Sequence, residues 1–501
     1  MDLIGNLAIG FSAALTPYNI LFCFIGTLLG TLVGVLPGIG PTATIAMLLP
    51  ITLSLSPETS LIMLAGIYYG AQYGGSTTAI LINLPGESSS AVTALDGYQM
   101  ARQGKAGTAL AAAALSSFLA GTLATVVVAA LAPPLTALAL KFGAPEYFSL
   151  MGLGLVASIV LSNGALLKTI ATVVIGLLLG LVGTDITSGE MRFTMGRPEF
   201  ADGINFVAVA VGIFGIAEIL RNLEHTTERT AVVKTVNGLL PSKADLKAMV
   251  APALRGTTLG SILGVLPGGG AILASFASYA IEKKISKNPE RFGKGAIEGV
   301  AGPEAANNAG AQTSFIPMLS LGVPANPVMA LMIGAMIIQG IVPGPDVASS
   351  QPELFWGLIA SMWVGNLLLV VLNLPQIGLW IKLLTVPYTI LFPAILAFAS
   401  IGVYSVNSNV YDLYAMAAFG VFGYVLSKLD FEPAPMLLGF VLGPLLEEYL
   451  RRAMTISHGD PTVFVTRPIS ATLLVLAVVI FAVALLPTVA KKRDTIFVEE
   501  D

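Results

Sequence analysis

Long apolar stretches dominate this sequence and limit the folds that it can adopt. A helix that spans a bilayer needs roughly 20 predominantly apolar residues, and the chain contains about ten to twelve stretches of this kind, joined by short polar connections. Residues 109–131, 206–220, 356–372 and 469–486 are clear examples. Because lipid cannot satisfy exposed backbone groups, so long an apolar chain must be built from helices. The sequence therefore predicts an all-α polytopic membrane protein that lies in the lipid bilayer.

The scarcity of reactive and charged residues argues against several other classes of protein. Charged residues make up 11% of the 501 residues and the formal net charge is -4, so no basic surface for nucleic acid is expected. An enzyme needs a convergent nucleophile, acid–base pair or metal cluster, but the chain has two His and one Cys. The sequence also lacks the phosphate-binding loop of P-loop ATPases. We therefore expect no enzyme activity, no cofactor and no metal site, and an ion gradient or a partner must supply any energy for transport.

One segment rich in glycine occurs twice. Residues 26–40 recur as residues 256–270, and both copies contain Gly-Val-Leu-Pro-Gly. Further matches follow in the same order: residues 70–72 with 310–312, 84–86 with 323–325, and 92–95 with 328–331. Collinear matches of this length favour an internal repeat over the chance similarity of glycine-rich sequences.

The repeat divides the chain into four expected segments. These are a first transmembrane repeat at residues 1–223, a polar linker at 224–254, a second transmembrane repeat at 255–455, and an additional C-terminal helix and tail at 456–501. The linker carries Lys and Arg residues, which are typical of the cytoplasmic side.

The charge pattern also predicts how the chain crosses the membrane. Arg255 and Lys283 both lie in basic surroundings, so the apolar run between them is expected to enter and leave on one side, as a re-entrant hairpin with its tip at residues 266–270. An N-terminus without basic residues favours a start outside the cell, and hence two inverted repeats. Against inversion, three arginines would then lie outside, at positions 451, 452 and 467. A parallel repeat therefore stays open.

Breaks rich in proline, glycine or small polar residues interrupt the predicted helices at residues 36–44, 83–90, 266–272 and 321–327. A break inside a membrane is tolerated where protein or a water-filled cavity satisfies the freed backbone groups. In secondary transporters, such breaks point helix N-termini at anionic groups, while unwound carbonyls bind Na⁺. The predicted substrate-binding residues are Gly38, Gly40, Thr42, Ser76, Thr77, Asn83, Gly86, Gly268, Gly270, Asn307, Asn308, Gln312 and Asn326, and the predicted ion-coupling residues are Pro37, Pro267 and Glu304.

Structural interpretations compete with these functional ones. The glycines at positions 26, 30 and 34, and at 256, 260 and 264, have a four-residue spacing that is typical of close helix packing. The Pro-Gly tips are alternatively loops or kinks, and the hydroxyls can bond to carbonyls of their own helix. Glu304 is a candidate for a cation site or proton relay because burial of an acid in a membrane is costly. Glu218, Asp202 and Asp412 lie near apparent helix ends, where solvated or capping roles are favoured.

The sequence around the breaks resembles a known family. Residues 34–42, 69–76, 83–87 and 302–308 are similar to the TctA-type large membrane subunit of tripartite tricarboxylate transporters, and the likeness covers nearly the whole chain. The resemblance implies a multi-pass carrier of the bacterial inner membrane that works with a small membrane subunit and a periplasmic solute-binding protein. Such a carrier imports citrate or related organic carboxylates with an ion gradient, and Na⁺ or H⁺ is the expected coupling ion. A channel for small anions is the alternative, which paired repeats disfavour because they are typical of alternating access.

Overall fold

The structure is a computed structural model that describes residues 3–36, 40–162, 164–185, 188–224, 238, 241–266, 270–383 and 388–485. The first part of the chain contains α1 (Leu3–Ala14), α2 (Pro17–Gly34), α3 (Pro41–Thr52), α4 (Pro57–Ile82), α5 (Ala91–Arg102), α6 (Ala106–Ala139), α7 (Ala144–Leu161), α8 (Leu166–Gly180), β1 (Gly183–Thr184), β2 (Met191–Arg192), α9 (Phe206–Ala210) and α10 (Ala217–Glu224). The second part contains α11 (Lys243–Leu263), α12 (Gly270–Ile285), α13 (Glu298–Thr313), α14 (Phe315–Leu321), α15 (Pro327–Ile338), α16 (Val347–Ser350), α17 (Pro352–Asn373), α18 (Ile377–Leu383), α19 (Tyr388–Asn407), α20 (Val410–Lys428), α21 (Ala434–Ile456), α22 (Val463–Thr466) and α23 (Pro468–Ala484).

Several of these helices are long and apolar enough to cross a membrane. Within the described residues there are six: Pro17–Gly34, Ala106–Ala139, Ala144–Leu161, Phe206–Glu224, Pro352–Asn373 and Val410–Lys428. Shorter apolar helices of 10–17 residues accompany them, including α3, α15 and α23. Strands β1 and β2 form a single antiparallel pair of two residues each. The all-α polytopic membrane fold that the sequence predicts is confirmed. Helix α11 begins at Lys243, so its first turns lie inside the range predicted as linker.

Local sequence explains where the broken helices stop and restart. Asn83 directly follows α4 and adopts the left-handed conformation, with φ of 58°. Gly322 follows α14 in the same way, with φ of 69°. Such residues commonly terminate helices because they tolerate positive φ. After each reversal, a residue in extended conformation precedes the next helical turn: Glu87 in the first case and Asn326 in the second.

Glycine packing joins α2 to α4 and α11 to α13. A Cβ atom on Gly26, Gly30 or Gly34 would lie 2.2–2.5 Å from the carbonyl oxygens of Met63, Ile67 and Ala71, respectively. A Cβ atom on Gly256, Gly260 or Gly264 would lie 2.2–2.4 Å from those of Gly302, Ala306 and Gly310. The packing role predicted for both glycine triplets is confirmed.

The same contacts correct one detail of the sequence comparison. Sequence similarity pairs Gly70 with Gly310, but in the packing of the helices it is Ala71 that occupies the place of Gly310. The two triplets hold their partner helices in parallel, because successive glycines meet successive turns. A shift of one residue is therefore needed to superimpose the packing of the two helix pairs.

These two helix pairs run in opposite directions. On α4, Tyr68 packs against Phe315, with ring centroids 6.4 Å apart, while eight residues later Ser76 Oγ lies 2.8 Å from Glu304 Oε2. Since Phe315 follows Glu304 in the chain, the segment formed by α13 and α14 is antiparallel to α4. Helices α2 and α11, each parallel to its partner, therefore enter the molecule from opposite ends.

Each entering helix is followed by one that returns to the same end. Arg255 on α11 forms a bidentate ion pair with Glu282 on α12, with 2.6 Å between Nη2 and Oε2, so these helices form a hairpin. The tip predicted at residues 266–270 lies largely outside the described residues, which resume at Gly270. We call the end that carries Arg255 and Glu282 the linker end.

The other end is marked by Asn19 at the start of α2, whose Nδ2 donates to Glu58 Oε1 at the start of α4 over 2.8 Å. Helix α3 leads back to this end because four residues connect it to α4. We call it the distal end. The inverted relation of the two halves stays a prediction, which this opposite entry of the two helix pairs supports.

Candidate functional site

A cavity of about 940 Å³ lies where the broken helices meet. Its wall combines residues from both halves of the chain. The lining residues include Gly40, Thr42, Tyr68, Gln72, Asn83, Gly86, Glu87, Ser88, Leu95, Phe214, Glu218, Arg221, Gly270, Phe276, Asn326, Val328 and Glu432.

The first turns of five helices contribute to this wall. They belong to α3, α12, α15 and α21, which begin at Pro41, Gly270, Pro327 and Ala434, and to the 3-10 helix Ser88–Ser90 that continues into α5. Backbone N–H groups in the first turn of a helix have no partner within the helix, and the helix dipole gives this end a partial positive charge. The cavity is therefore suited to an anion.

The start of α3 has no side-chain cap. Gly40 precedes the helix and has no side chain with which to cap it, whereas Asn326 caps α15 by accepting from the Met329 N–H over 3.0 Å. Thr42, in the first turn of α3, adds a hydroxyl to the cavity wall. Backbone and hydroxyl donors of this kind bind carboxylate and phosphate groups at helix N-termini.

Amide and carboxyl groups form part of the cavity wall and of the layer behind it. Glu87 Oε1 accepts a hydrogen bond from Asn307 Nδ2 at 2.9 Å, and Asn326 Nδ2 contacts the Tyr68 hydroxyl at 3.4 Å. Gln72 is 2% exposed, and its Oε1 has no hydrogen-bond partner among the described residues. A buried carbonyl oxygen without a partner is costly, so this atom is available to a ligand that donates a hydrogen bond or to a cation.

Acidic side chains outnumber basic ones in the described wall of the cavity. Glu87, Glu218 and Glu432 are acidic, and Arg221 is the basic residue. The Arg221 guanidinium already contacts Glu218, with 3.1 Å between Nη1 and Oε2. An anion that enters the cavity therefore meets helix ends and neutral donors, but also carboxylates. The negative charge of these carboxylates must be neutralised for the anion to bind well.

The structure distributes the predicted site residues over more than one place. Six of them line the cavity: Gly40, Thr42, Asn83, Gly86, Gly270 and Asn326. Asn307 is fully buried behind the wall and bonds to Glu87. Ser76, Thr77 and Glu304 line a separate, smaller cavity.

The remaining predicted residues have other surroundings. Asn308 Nδ2 donates to Ser117 Oγ at 2.6 Å, next to the smaller cavity, while Gln312 lies apart from both and accepts a long hydrogen bond from Thr125. Pro37, Gly38, Pro267 and Gly268 lie outside the described residues.

Sequence reasoning missed Glu87, Tyr68 and Arg221 as parts of this site. Glu87 had a usable signal, because it is an acid inside a break that was itself predicted to lie in the membrane. Glu218 was expected near a helix end in a solvated or capping role, and the structure places it in the cavity wall, paired with Arg221.

Comparison with known proteins identifies the family. Residues 20–438 match the tripartite tricarboxylate transporter TctA family. The chain belongs to this family. It is therefore a component of a tricarboxylate transporter, as the resemblance of its breaks implied.

Two relatives of this TctA family member come from Agrobacterium vitis. One is described as an uncharacterized 52.8 kDa protein in the TAR-I ttuC' 3'region and is 67% identical over 501 residues, which is 100% of both chains. The other, described as an uncharacterized protein in the TAR-II ttuC' 3'region, is 69% identical over 242 residues, covering 48% of this chain and 100% of the relative. No solved structure matches the chain.

Proposed function

We propose that this chain is the translocating subunit of a cation-coupled carrier for small organic carboxylates, with citrate and other tricarboxylates as the substrate class. One observation carries the proposal: the first turns of five helices line a single cavity of about 940 Å³ between the two halves of the chain. Membership of a tricarboxylate transporter family supports the carboxylate class.

Neutral donors and helix ends account for the binding of the anion. The uncapped start of α3 offers backbone N–H groups, and Thr42, Asn83 and Ser88 offer side-chain donors on the cavity wall. Helix N-termini stabilise an anion without a fixed cation. A site of this kind can release its substrate more readily than one built around buried arginines.

The acidic side chains of the wall account for the coupling to a cation. A carboxylate substrate beside Glu87 is repelled unless a proton or a metal cation neutralises part of the charge. Binding of the anion and of the cation then favour each other, which is the requirement for symport.

The family also suggests partners and a location. In a tripartite system, a small membrane subunit and a periplasmic solute-binding protein would accompany this chain in the bacterial inner membrane, and the binding protein would deliver the substrate. The last turn of α12 and the loop that follows it are basic and favour a cytoplasmic linker end. They carry Lys283, Lys284, Lys287, Arg291 and Lys294.

Transport in proteoliposomes tests this function. The chain is reconstituted with its partner subunits, and uptake of labelled citrate is followed under an imposed Na⁺ gradient or pH gradient. We expect uptake to follow one of the two gradients and labelled citrate to exchange for unlabelled citrate in counterflow. Uptake that ignores both gradients would contradict a cation-coupled carrier, and loss of counterflow would favour a channel.

A matched pair of variants tests the cavity itself. Thr42→Val removes a hydroxyl from the wall and keeps the shape of the side chain, whereas Thr258→Val makes the same change on the exposed surface of α11. Loss of one neutral hydrogen bond should weaken the apparent affinity for citrate roughly two- to tenfold in Thr42→Val. Thr258→Val should transport like the unmodified protein, and equal affinity in both variants would place the substrate elsewhere.

A further inference from the structure

A second cavity lies between α4, α6, α13 and the C-terminal end of α17. Its volume is about 10 Å³, which is the room that one water-sized species occupies. The polar residues that line it are Tyr73, Ser76, Thr77, Ser117, Glu304 and Asn373. None of the described lining residues is Lys, Arg or His.

Glu304 places a carboxylate in this cavity. The residue is 1% exposed, and the hydroxyls of Ser76 and Ser117 donate to its Oε2 over 2.8 and 3.2 Å. Thr93 Oγ1 donates to Oε1 over 2.5 Å. Hydroxyl groups therefore contact both oxygens of this acid. Glu304 forms no ion pair within the part of the chain that the structure describes, although a buried charge normally requires one.

Asn373 supplies an oxygen that lacks a hydrogen-bond partner among the described residues. The residue is 5% exposed, and its Nδ2 donates to the Leu369 carbonyl over 2.9 Å, which fixes the orientation of the amide. Its Oδ1 accepts no hydrogen bond from any described residue. Helix α17 also ends at Asn373, so the partial negative charge of a helix C-terminus lies at the same cavity.

We propose that this cavity binds one small monovalent cation, with Na⁺ as the best fit. Glu304 and Asn373 Oδ1 would be its main ligands, and the hydroxyl oxygens of Ser76 and Ser117 would complete the shell. A single carboxylate with neutral oxygens suits a monovalent ion, because divalent ions in proteins are generally held by more than one carboxylate.

The position of the cation site connects it to the larger cavity. Ser76 lies one turn beyond Gln72 on α4, and Asn307 lies one turn beyond Glu304 on α13. Asn307 in turn donates to Glu87 in the wall of the larger cavity over 2.9 Å. The coupling role of this cation, one helical turn from the substrate, rests on the proposed function.

Binding of Na⁺ can be measured without transport or substrate. The melting temperature of the purified full chain is recorded in NaCl, KCl and choline chloride at equal ionic strength. A ligand that binds the folded state raises the stability in proportion to RT ln(1 + [L]/Kd). We expect a saturable rise that is specific to Na⁺, and a Kd that is weakened roughly tenfold or more in Glu304→Gln and in Asn373→Leu.

Asp96→Asn is the matched control, because Asp96 is a fully buried acid that lines neither cavity. This variant should keep the rise specific to Na⁺, whatever its own melting temperature. If Glu304→Gln does not fold, Ser117→Ala and Asn373→Leu carry the test.

The proposal is overturned if Na⁺ stabilises the protein no more than K⁺ or choline does, which would indicate a water-filled cavity. It is also overturned if the variants keep the full Na⁺ effect. Neither result would affect citrate transport driven by a proton gradient, so the proposed function is tested separately.

Discussion

Buried acids in this protein are compensated in different ways, and the difference separates structural from functional candidates. Glu282 is neutralised by the guanidinium of Arg255. Asp96 accepts from the backbone N–H groups of residues 295 and 296, both over 2.7 Å, and from the Tyr279 hydroxyl over 3.0 Å. Glu304 is surrounded by hydroxyls that can themselves rotate toward a ligand. Fixed backbone donors and a bidentate arginine suit an architectural role, whereas mobile hydroxyls suit exchange of a bound ion.

Asp96 is expected to stabilise the fold by joining α5 to the loop before α13. Asp96→Ala leaves two backbone N–H groups without an acceptor, and each buried donor of this kind costs about 1–3 kcal/mol. Asp96→Asn keeps one carbonyl acceptor and should cost less. Asp96→Ala should therefore lower the melting temperature more than Asp96→Asn does. Asp346→Ala, at an exposed position, should change it little. A melting temperature of Asp96→Ala equal to that of Asp346→Ala would contradict this role.

At the level of single residues, the sequence predicted which kinds of side chain form the site better than it predicted which of them lie in the same cavity. Six residues near the breaks line the large cavity because breaks within a membrane leave polar backbone groups that must meet a cavity. Asn307 and Glu304 lie on one face of α13, yet they have different neighbours, because they are one turn apart along the helix and each level meets a different part of the molecule. Asn373 was not predicted, since it lines the cavity of Glu304 from a helix that is far away in the sequence.

At the level of helices, close packing on glycine determines how α2 meets α4 and how α11 meets α13. A methyl group on Gly30 or Gly260 would lie 2.2 Å from a backbone carbonyl oxygen, which cannot move without shifting a helix. Gly30→Ala and Gly260→Ala should each destabilise the protein by about 1–3 kcal/mol or more. Gly152 on α7 is the matched control, because nothing lies within 4 Å of its added Cβ, and its change to Ala should be neutral or slightly stabilising.

The measurement for these glycine variants is the melting temperature together with the yield of folded protein. Similar losses at Gly30 and Gly260 would show that both helix pairs depend on the same kind of contact. A Gly30→Ala variant as stable as Gly152→Ala would mean that the helices can separate at little cost.

Helix positions could be predicted from apolar length and from the four-residue glycine spacing, because both follow from local geometry. The π-helical turn Val211–Ile216 could not, although it helps to place Phe214 in the cavity wall. No residue type specifies such a turn, which depends on tertiary contacts. The residue-by-residue alignment of α4 with α13 could not be predicted from the sequence either. Glycine-rich segments align almost equally well when one of them is shifted by one residue.

At the level of the whole molecule, the large cavity opens toward the linker end. Leu95 and Phe276 line the cavity and are 48% and 40% exposed. Both lie beyond the starts of their helices in the direction of that end. Helix α12 runs from Gly270 toward Glu282, and α5 runs toward Gln103, whose Nε2 donates to the Lys294 carbonyl in the loop after α12. Tyr68 and Val328, which line the cavity from its other side, are 3% exposed each. An opening at one end is what the proposed carrier requires in one state of an alternating-access cycle.

Labelling of single cysteines in membrane vesicles tests both the hairpin and this opening. In a background with Cys23→Ala, Arg255→Cys and Lys283→Cys report on the linker end, and Ser54→Cys reports on the distal end. An impermeant maleimide should label positions 255 and 283 in inside-out vesicles and position 54 in right-side-out vesicles, because the basic loop after α12 marks the cytoplasmic side. Labelling of 255 and 283 from opposite sides would eliminate the hairpin.

Leu95→Cys and Phe276→Cys then examine the cavity in the same vesicles. We expect both to react from the linker side in the absence of substrate, and citrate to slow the reaction, because a ligand held at the helix N-termini covers the same wall. Lys283→Cys serves as the control, since its labelling lies outside the cavity and should not respond to citrate. Reaction of positions 95 and 276 from the side of Ser54→Cys would mean that the cavity faces the distal end. Equal reaction from both sides at once would instead describe a continuous pore, which is the behaviour of a channel and is incompatible with alternating access.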